Sequence, residues 1–265
     1  MNKKILVTGA DGQLGKTIHE LYRDNSLGLN FTFVNKKALD ITDKNFVKLY
    51  FDNNAYDYCI NCAAYTNVEQ AEKTPKIAFE VNAEGVKNLA EACHVNNIIL
   101  IHISTDYVFD GKKEEPYLIS DDTNPINVYG ASKLAGENYI QEVLNNYFIV
   151  RTSWLYSKKY GNNFYRTIIE KAKTEKTLKV TTEQKGCPTD AVNLSKYLIE
   201  LITKNISAYG IYHFCDSIVM TWYDFAKEAL SENNLINKIN LVKAHKYSTF
   251  ANRPKTSILS LESNK

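Results

Sequence analysis

The chain opens on a short apolar run, Ile5-Leu6-Val7, followed at once by glycine-rich polar residues and then by a helical pattern over residues 13–22. The alternation recurs. Phe31-Thr32-Phe33-Val34 predicts a second strand, residues 45–51 a short helix, and residues 58–61 a third strand. Residues 75–96 predict a long helix: Ile77, Ala78, Val81, Val86, Leu89, Ala90 and Cys93 recur at helical spacing, and Pro75 suits a first turn. Residues 98–103 are nearly all apolar, as a strand covered on both faces should be. A helix over 127–143 and a strand at Phe148-Ile149-Val150 follow. Strands alternating with helices predict parallel βαβ units with right-handed crossovers. The expected class is therefore α/β, with a doubly wound parallel Rossmann sheet.

After Arg151 the pattern loosens. Helices are predicted at 163–174, 191–203 and 221–231, and short strands near 178–180, 211–214 and 239–242. Polar loops such as Gln184-Lys185-Gly186-Cys187-Pro188-Thr189 separate them. The expected division is a nucleotide-binding domain over residues 1–150 and a mainly substrate-binding lobe over 151–265, with the chain crossing between the two. No internal repeat or long linker interrupts this plan.

Composition narrows the function classes. Of 265 residues 44% are hydrophobic and 23% charged, and the formal net charge is only +2. That balance argues against nucleic acid as a partner, since phosphate binding needs a concentrated basic surface. No apolar run approaches the roughly 18–20 residues that span a bilayer, so no membrane partner is expected. Met1-Asn2-Lys3-Lys4 leads into a strand without the apolar stretch of a signal peptide, and a cytoplasmic protein is expected. The five cysteines, Cys59, Cys62, Cys93, Cys187 and Cys215, are too scattered for a secreted disulfide framework. Cys59-x-x-Cys62 lies in an apolar strand and its exit, where free cysteine acts as a small hydrophobe rather than a metal ligand or redox pair.

Three motifs carry the chemistry. Gly9-Ala10-Asp11-Gly12-Gln13-Leu14-Gly15 joins the first strand to the first helix, the context a dinucleotide-binding loop requires. Glycines let the backbone approach a pyrophosphate, and the helix N-terminus offers N–H groups to it. The spacing is G-x-x-G-x-x-G rather than the standard G-x-G-x-x-G. At the end of the second strand, where an acid would bind a ribose, stand Asn35-Lys36-Lys37. This suits a 2′-phosphate, hence NADPH with NADH as a secondary possibility, though the lysines also read as a solvated turn. Asp40-Ile41 follows and is placed to line the adenine; Asp40 equally reads as a cap for the next helix. The second motif, Tyr129-Gly130-Ala131-Ser132-Lys133, puts a phenol and an ammonium on one helix face. A cation there favours phenolate and eases proton exchange. In the third, Ser104-Thr105-Asp106-Tyr107 places hydroxyls at the carboxyl end of a parallel strand, where doubly wound sheets bind ligands.

In these motifs the chain resembles the dTDP-4-dehydrorhamnose reductases, extended short-chain dehydrogenases of sugar-nucleotide metabolism. The likeness runs from Gly9–Gly15 through Asp40-Ile41-Thr42-Asp43, Asn61 to Glu69, Val81-Asn82, Ser104 to Gly111 and Pro125 to Glu137. It continues in Arg151-Thr152-Ser153-Trp154, Gly161-Asn162-Asn163-Phe164 and Arg253-Pro254-Lys255-Thr256-Ser257. The resemblance implies Thr105, Tyr129 and Lys133 as catalytic residues, with Tyr129 donating the proton, Thr105 holding the ketone oxygen, and Lys133 also touching the nicotinamide ribose. It implies a cofactor along Gly9, Gly12, Gln13, Leu14, Gly15, Lys36, Asp40, Ile41, Cys62, Ala63, Ala64 and Asn82. Sugar contacts fall to Val68, Tyr107, Trp154 and Asn163, and a diphosphate contact to Arg253. Trp154 as a core aromatic and Arg253 as a surface ion pair remain open alternatives.

The implied reaction is reduction of the C4 ketone of dTDP-4-dehydro-6-deoxy-L-mannose to dTDP-L-rhamnose by NADPH, a step toward cell-surface polysaccharide. Reduction of another nucleotide-linked 4-keto sugar, or a non-catalytic regulatory role on the same fold, are the alternatives. Lys16 stands where some relatives carry a glutamate that helps bind a bridging Mg²⁺, so no metal is expected, and monomer and homodimer both stay open. The chain also stops at Lys265, before a further helix that relatives carry.

Overall fold

The computed structural model describes residues 2–245 and 249–261. The expectations attached to Met1 and to the chain end at Lys265 lie outside them. The elements are β1 (Lys3–Thr8), α1 (Gln13–Tyr22), β2 (Leu29–Phe33), α2 (Lys44–Asp52), β3 (Tyr58–Asn61), α3 (Val68–Lys73), α4 (Pro75–Phe79), α5 (Gly85–Val95), β4 (Ile99–Thr105), α6 (Val128–Val143) and β5 (Tyr147–Thr152). Beyond them come β6 (Leu155–Tyr156), α7 (Phe164–Thr174), β7 (Thr177–Thr181), β8 (Lys185–Gly186), β9 (Thr189–Asp190), α8 (Ala191–Thr203), β10 (Gly210–Phe214), β11 (Met220–Thr221), α9 (Trp222–Glu232) and β12 (Asn240–Ala244).

Six strands form one parallel sheet in the order β10-β5-β4-β3-β1-β2. The apolar runs of β3 and β4 are explained by helices on both faces. On one face Val47 and Phe51 of α2, Val86, Leu89 and Cys93 of α5 and Ile140 of α6 pack against Leu6, Cys59 and Leu100. On the other, Leu14 and Ile18 of α1 and Leu194, Leu198 and Ile202 of α8 pack against Ile5, Ile60, Ile101 and Val150. The sheet thus takes its edge strand β10 and a covering helix α8 from residues beyond 150. The remaining part of the second half is smaller: α7 and α9 cover the two-stranded parallel pair β7–β12 through Ile168, Leu178, Val180, Ala226 and Leu230.

Local chemistry sets the boundaries. Asn127 and Asn163 each stand just outside a helix and cap it, accepting from the N–H of Gly130 and Arg166. α2 is capped by Asp43, which accepts from Phe46 N–H. The reading of Asp40 as that cap is therefore corrected: its carboxylate accepts from Thr42 N–H and hydroxyl instead. The long helix expected over 75–96 is interrupted by a wide π turn at Glu80–Glu84. Such turns recur at functional sites, and this one carries the fully buried Asn82. The short α3 escaped the sequence pattern because six residues give less than two turns of periodicity.

Candidate active site

A cavity of about 570 Å³ opens at the carboxyl ends of the central strands, lined by the glycine turn, the exit of β3, the Ser104–Tyr107 segment, the start of α6, and Trp154, Asn163 and Arg253 of the second half. Its floor is the glycine turn. Gly9 has φ +64°, and a Cβ there would lie 2.5 Å from Ala63 N. The turn therefore meets the Cys62-Ala63-Ala64 segment backbone to backbone, and only glycine fits. Gly12 caps α1 without a side chain, which leaves first-turn N–H groups without a side-chain acceptor. These are the donors a pyrophosphate takes. The donor set and the cradle fit a dinucleotide.

The other residues expected along the cofactor are placed in different ways. Asn82 bonds the backbone N–H and carbonyl of Tyr65 and reaches Ser132 Oγ at 3.0 Å, so it ties the β3 exit to α6. Cys62 is a protonated thiol, its pKa driven up by burial. Lys36 is exposed at the end of β2, with Asp40 Oδ2 3.5 Å from its Nζ. Ile41 is buried against the helix layer, its carbonyl accepting from Asn88.

Thr105 ends β4, and α6 begins so close to it that a Cβ on Gly130 would lie 2.1 Å from the Tyr107 carbonyl oxygen. This contact sets Tyr129 edge-on to Tyr107, with ring centroids 5.9 Å apart. The Thr105 hydroxyl donates to Asp106 Oδ1 at 3.1 Å and accepts from Tyr107 N–H. Its remaining hydrogen bond joins the Tyr129 hydroxyl. Burial pushes Tyr129 up to about 12; Thr105 opposes this and Asp106 adds to it. The expected lowering by Lys133 is not what the structure gives. Burial takes Lys133 itself down to about 8, against the pull of Glu137. Its Nζ lies 2.7 Å from the Ile103 carbonyl oxygen and 3.1 Å from His102 Nε2.

Three polar groups here carried no sequence expectation. Asp106 is buried and raised to about 6 by burial, opposed by hydrogen bonds from Ser257, Ser153 and Thr105. It lay inside a quoted motif, but only its contact with Thr105 reveals its use. His102 is buried in the middle of an apolar strand, where one polar residue breaks no period. Glu137 forms a buried pair with Arg151 at 2.7 Å and also accepts from Ser104.

The far wall is made of side chains from distant segments. Trp154, at φ +47°, stacks on Trp222 with centroids 3.5 Å apart and planes within 5°. Trp222 Nε1–H donates to Gln184. Trp154 lines the cavity, but one face is covered by this partner, a contact the sequence did not suggest. Asn163 lines the cavity too, yet its amide donates to Gln13 Oε1 at 3.1 Å and to two carbonyls, fastening the second half to the glycine turn. Val68 and Tyr107 complete this wall. Arg253 donates to Glu69 at 2.8 Å, and Glu69 also accepts from the N–H groups of Phe250 and Ala251. Among the described residues no group of three or more His, Cys, Asp or Glu side chains is arranged to hold a metal, and no helix is long and apolar enough to cross a membrane.

The family model described as RmlD substrate binding domain matches residues 3–265. A dTDP-4-dehydrorhamnose reductase of Aggregatibacter actinomycetemcomitans is 40% identical over 97% of this chain and 90% of its own. A dTDP-4-keto-6-deoxy-D-glucose reductase of Streptomyces niveus is 38% identical over 86% of this chain and 77% of its own. Among solved structures, a dTDP-4-dehydrorhamnose reductase of Bacillus anthracis in complex with NADP is 40% identical, with a TM-score of 0.94 over 99% of this chain and 92% of that one.

Proposed function

The chain belongs to the RmlD substrate binding domain family, and from that premise we propose that it reduces the C4 ketone of dTDP-4-dehydrorhamnose with NADPH, giving dTDP-L-rhamnose. The observation that carries this reading is that Thr105, Tyr129 and Lys133 line the same cavity as the glycine turn and Trp154. The glycine turn and the α1 N-terminus would hold NADPH, whose chemistry there would be hydride delivery to the ketone carbon.

The chain's own residues handle the charge that develops on oxygen. Tyr129, raised to about 12, keeps its proton at neutral pH and has it ready to give. Thr105 holds the ketone oxygen beside that hydroxyl by turning to it the proton that it gives Asp106 in the free site. Arg253 serves the diphosphate, since a guanidinium matches phosphate oxygens bidentately; its approach exchanges the Glu69 contact for the ligand. Lys36 and Lys37 receive the 2′-phosphate.

The similarity to a reductase of dTDP-4-keto-6-deoxy-D-glucose supports a second reading, in which the same site reduces an epimeric 4-keto sugar. The test is NADPH oxidation with each dTDP-4-keto sugar and with UDP- and GDP-linked ones. The proposal expects the highest kcat/KM with dTDP-4-dehydrorhamnose. Turnover confined to another ketose would move the function to that sugar.

A further inference from the structure

A row of polar side chains crosses the middle of the sheet. Thr8, Asn61 and His102 are direct register partners on β1, β3 and β4. All three are buried, as is Lys133 at the end of the row. Thr8 donates to Asn61 Oδ1 at 2.7 Å, Asn61 Nδ2 lies 3.0 Å from His102 Nδ1, and His102 Nε2 lies 3.1 Å from Lys133 Nζ.

The protons in this row are not free to choose. Asn61 Oδ1 is also 3.1 Å from Ala63 N–H. A backbone N–H only donates, so the oxygen must face it and the NH₂ must face His102. An amide NH₂ likewise only donates, so His102 Nδ1 presents its lone pair. The proton of the neutral imidazole is then on Nε2, pointing at Lys133. The imidazolium is disfavoured, because burial lowers His102 well below its ordinary value. An ammonium has no lone pair to receive Nε2–H, whereas a neutral amine has one and still donates to Ile103.

We propose that His102, locked in its Nε2–H tautomer by Asn61, makes the Lys133 ammonium give up its proton more readily in the cofactor-free pocket. His102 is thus a positioning residue that sets the protonation of the catalytic lysine. The other groups facing Lys133 do not reverse this. Glu137, on the same helix, is engaged by Arg151 and Ser104. Cys62, beyond β3, is a neutral thiol, and Tyr129 is a neutral phenol. The inference deepens the role proposed for Lys133 without depending on which sugar is reduced.

The experiment is NMR of the cofactor-free protein, with ¹⁵N-labelled histidine and ¹³Cε-labelled lysine, the Lys133 signal assigned by its loss in Lys133→Arg. His102 is expected as the Nε2–H tautomer, and Lys133 is expected to titrate at or below about 8. In Asn61→Asp the second carboxylate oxygen meets His102 Nδ1 and draws the proton there, freeing Nε2 to accept from an ammonium. Lys133 should then titrate at least about one unit higher, a tenfold shift in its equilibrium. An Nδ1–H tautomer, or a Lys133 midpoint above about 8, overturns the proposal, and both are read on the wild-type protein. Neither depends on turnover, so failure here is distinct from failure of the ketone reduction.

Discussion

The two ends of the cavity are built differently. At the proton-handling end, Thr105, Tyr129, Lys133 and His102 sit on β4 and α6, and their backbones are fixed by sheet register and a helix cap. At the far wall, Trp154, Trp222, Asn163, Arg253 and Glu69 come from five separate stretches and are held by contacts among side chains. The first end has little room to adapt; burial has already moved its Tyr, Lys and Asp away from their ordinary values. The second carries exposed or half-buried groups whose hydrogen bonds can be exchanged for a ligand's. Rate should therefore reside in the first and recognition in the second.

The largest effect expected is at Tyr129. Tyr129→Phe keeps the ring and its packing on Tyr107 but removes the proton, so kcat should fall by about a hundredfold to ten-thousandfold while NADPH titration stays near wild type. A loss of less than about tenfold, with chemistry rate-limiting, would falsify Tyr129 as the general acid. Lys133→Ala should instead lose both rate and NADPH affinity, if Lys133 makes the proposed ribose contact.

A pH series sharpens the same end. If the bound cofactor's ribose favours the ammonium of Lys133, NADPH affinity is full where Lys133 is charged without the ligand. It should then fall about tenfold per unit as pH rises beyond about 8. Fluorescence titrations between pH 6.5 and 9.5 test this, and a flat profile would mean that cofactor binding is not linked to the lysine's proton.

Trp154→Ala probes the far wall. We expect kcat/KM for the sugar nucleotide to drop by about tenfold, on the order of 1.4 kcal/mol, with the NADPH dissociation constant unchanged. Equal losses for both ligands would erase the proposed division, and point to a Trp154–Trp222 stack that only supports the fold. The smallest effect is expected from the Lys36→Ala, Lys37→Ala double variant. Lys36 is exposed and its partner Asp40 is 3.5 Å away. The variant should lose a few-fold in NADPH affinity, in line with an exposed ion pair of about 0.2–1 kcal/mol, and nothing for NADH. A matching loss for NADH would detach these lysines from the 2′-phosphate.

The sequence by itself determined the parts whose signal is local. Strand and helix order followed from hydrophobic period; the glycine turn and Tyr129–Lys133 were legible because their residues lie within one turn and share one face. The helices predicted over 127–143 and 163–174 began at the residues that prove to cap them, Asn127 and Asn163. The tertiary structure decided what depends on partners far along the chain. Asn61 meets His102 only through the register of β3 on β4, Glu69 meets Arg253 across 184 positions, and Trp222 covers Trp154 from another helix. The same is true of charge: residue type alone suggested that Lys133 would lower Tyr129, but desolvation, which depends on everything packed around both groups, drives one up and the other down. Periodicity reports which face of an element is buried; which polar atoms meet inside, and therefore where the protons sit, is fixed only when the elements pack.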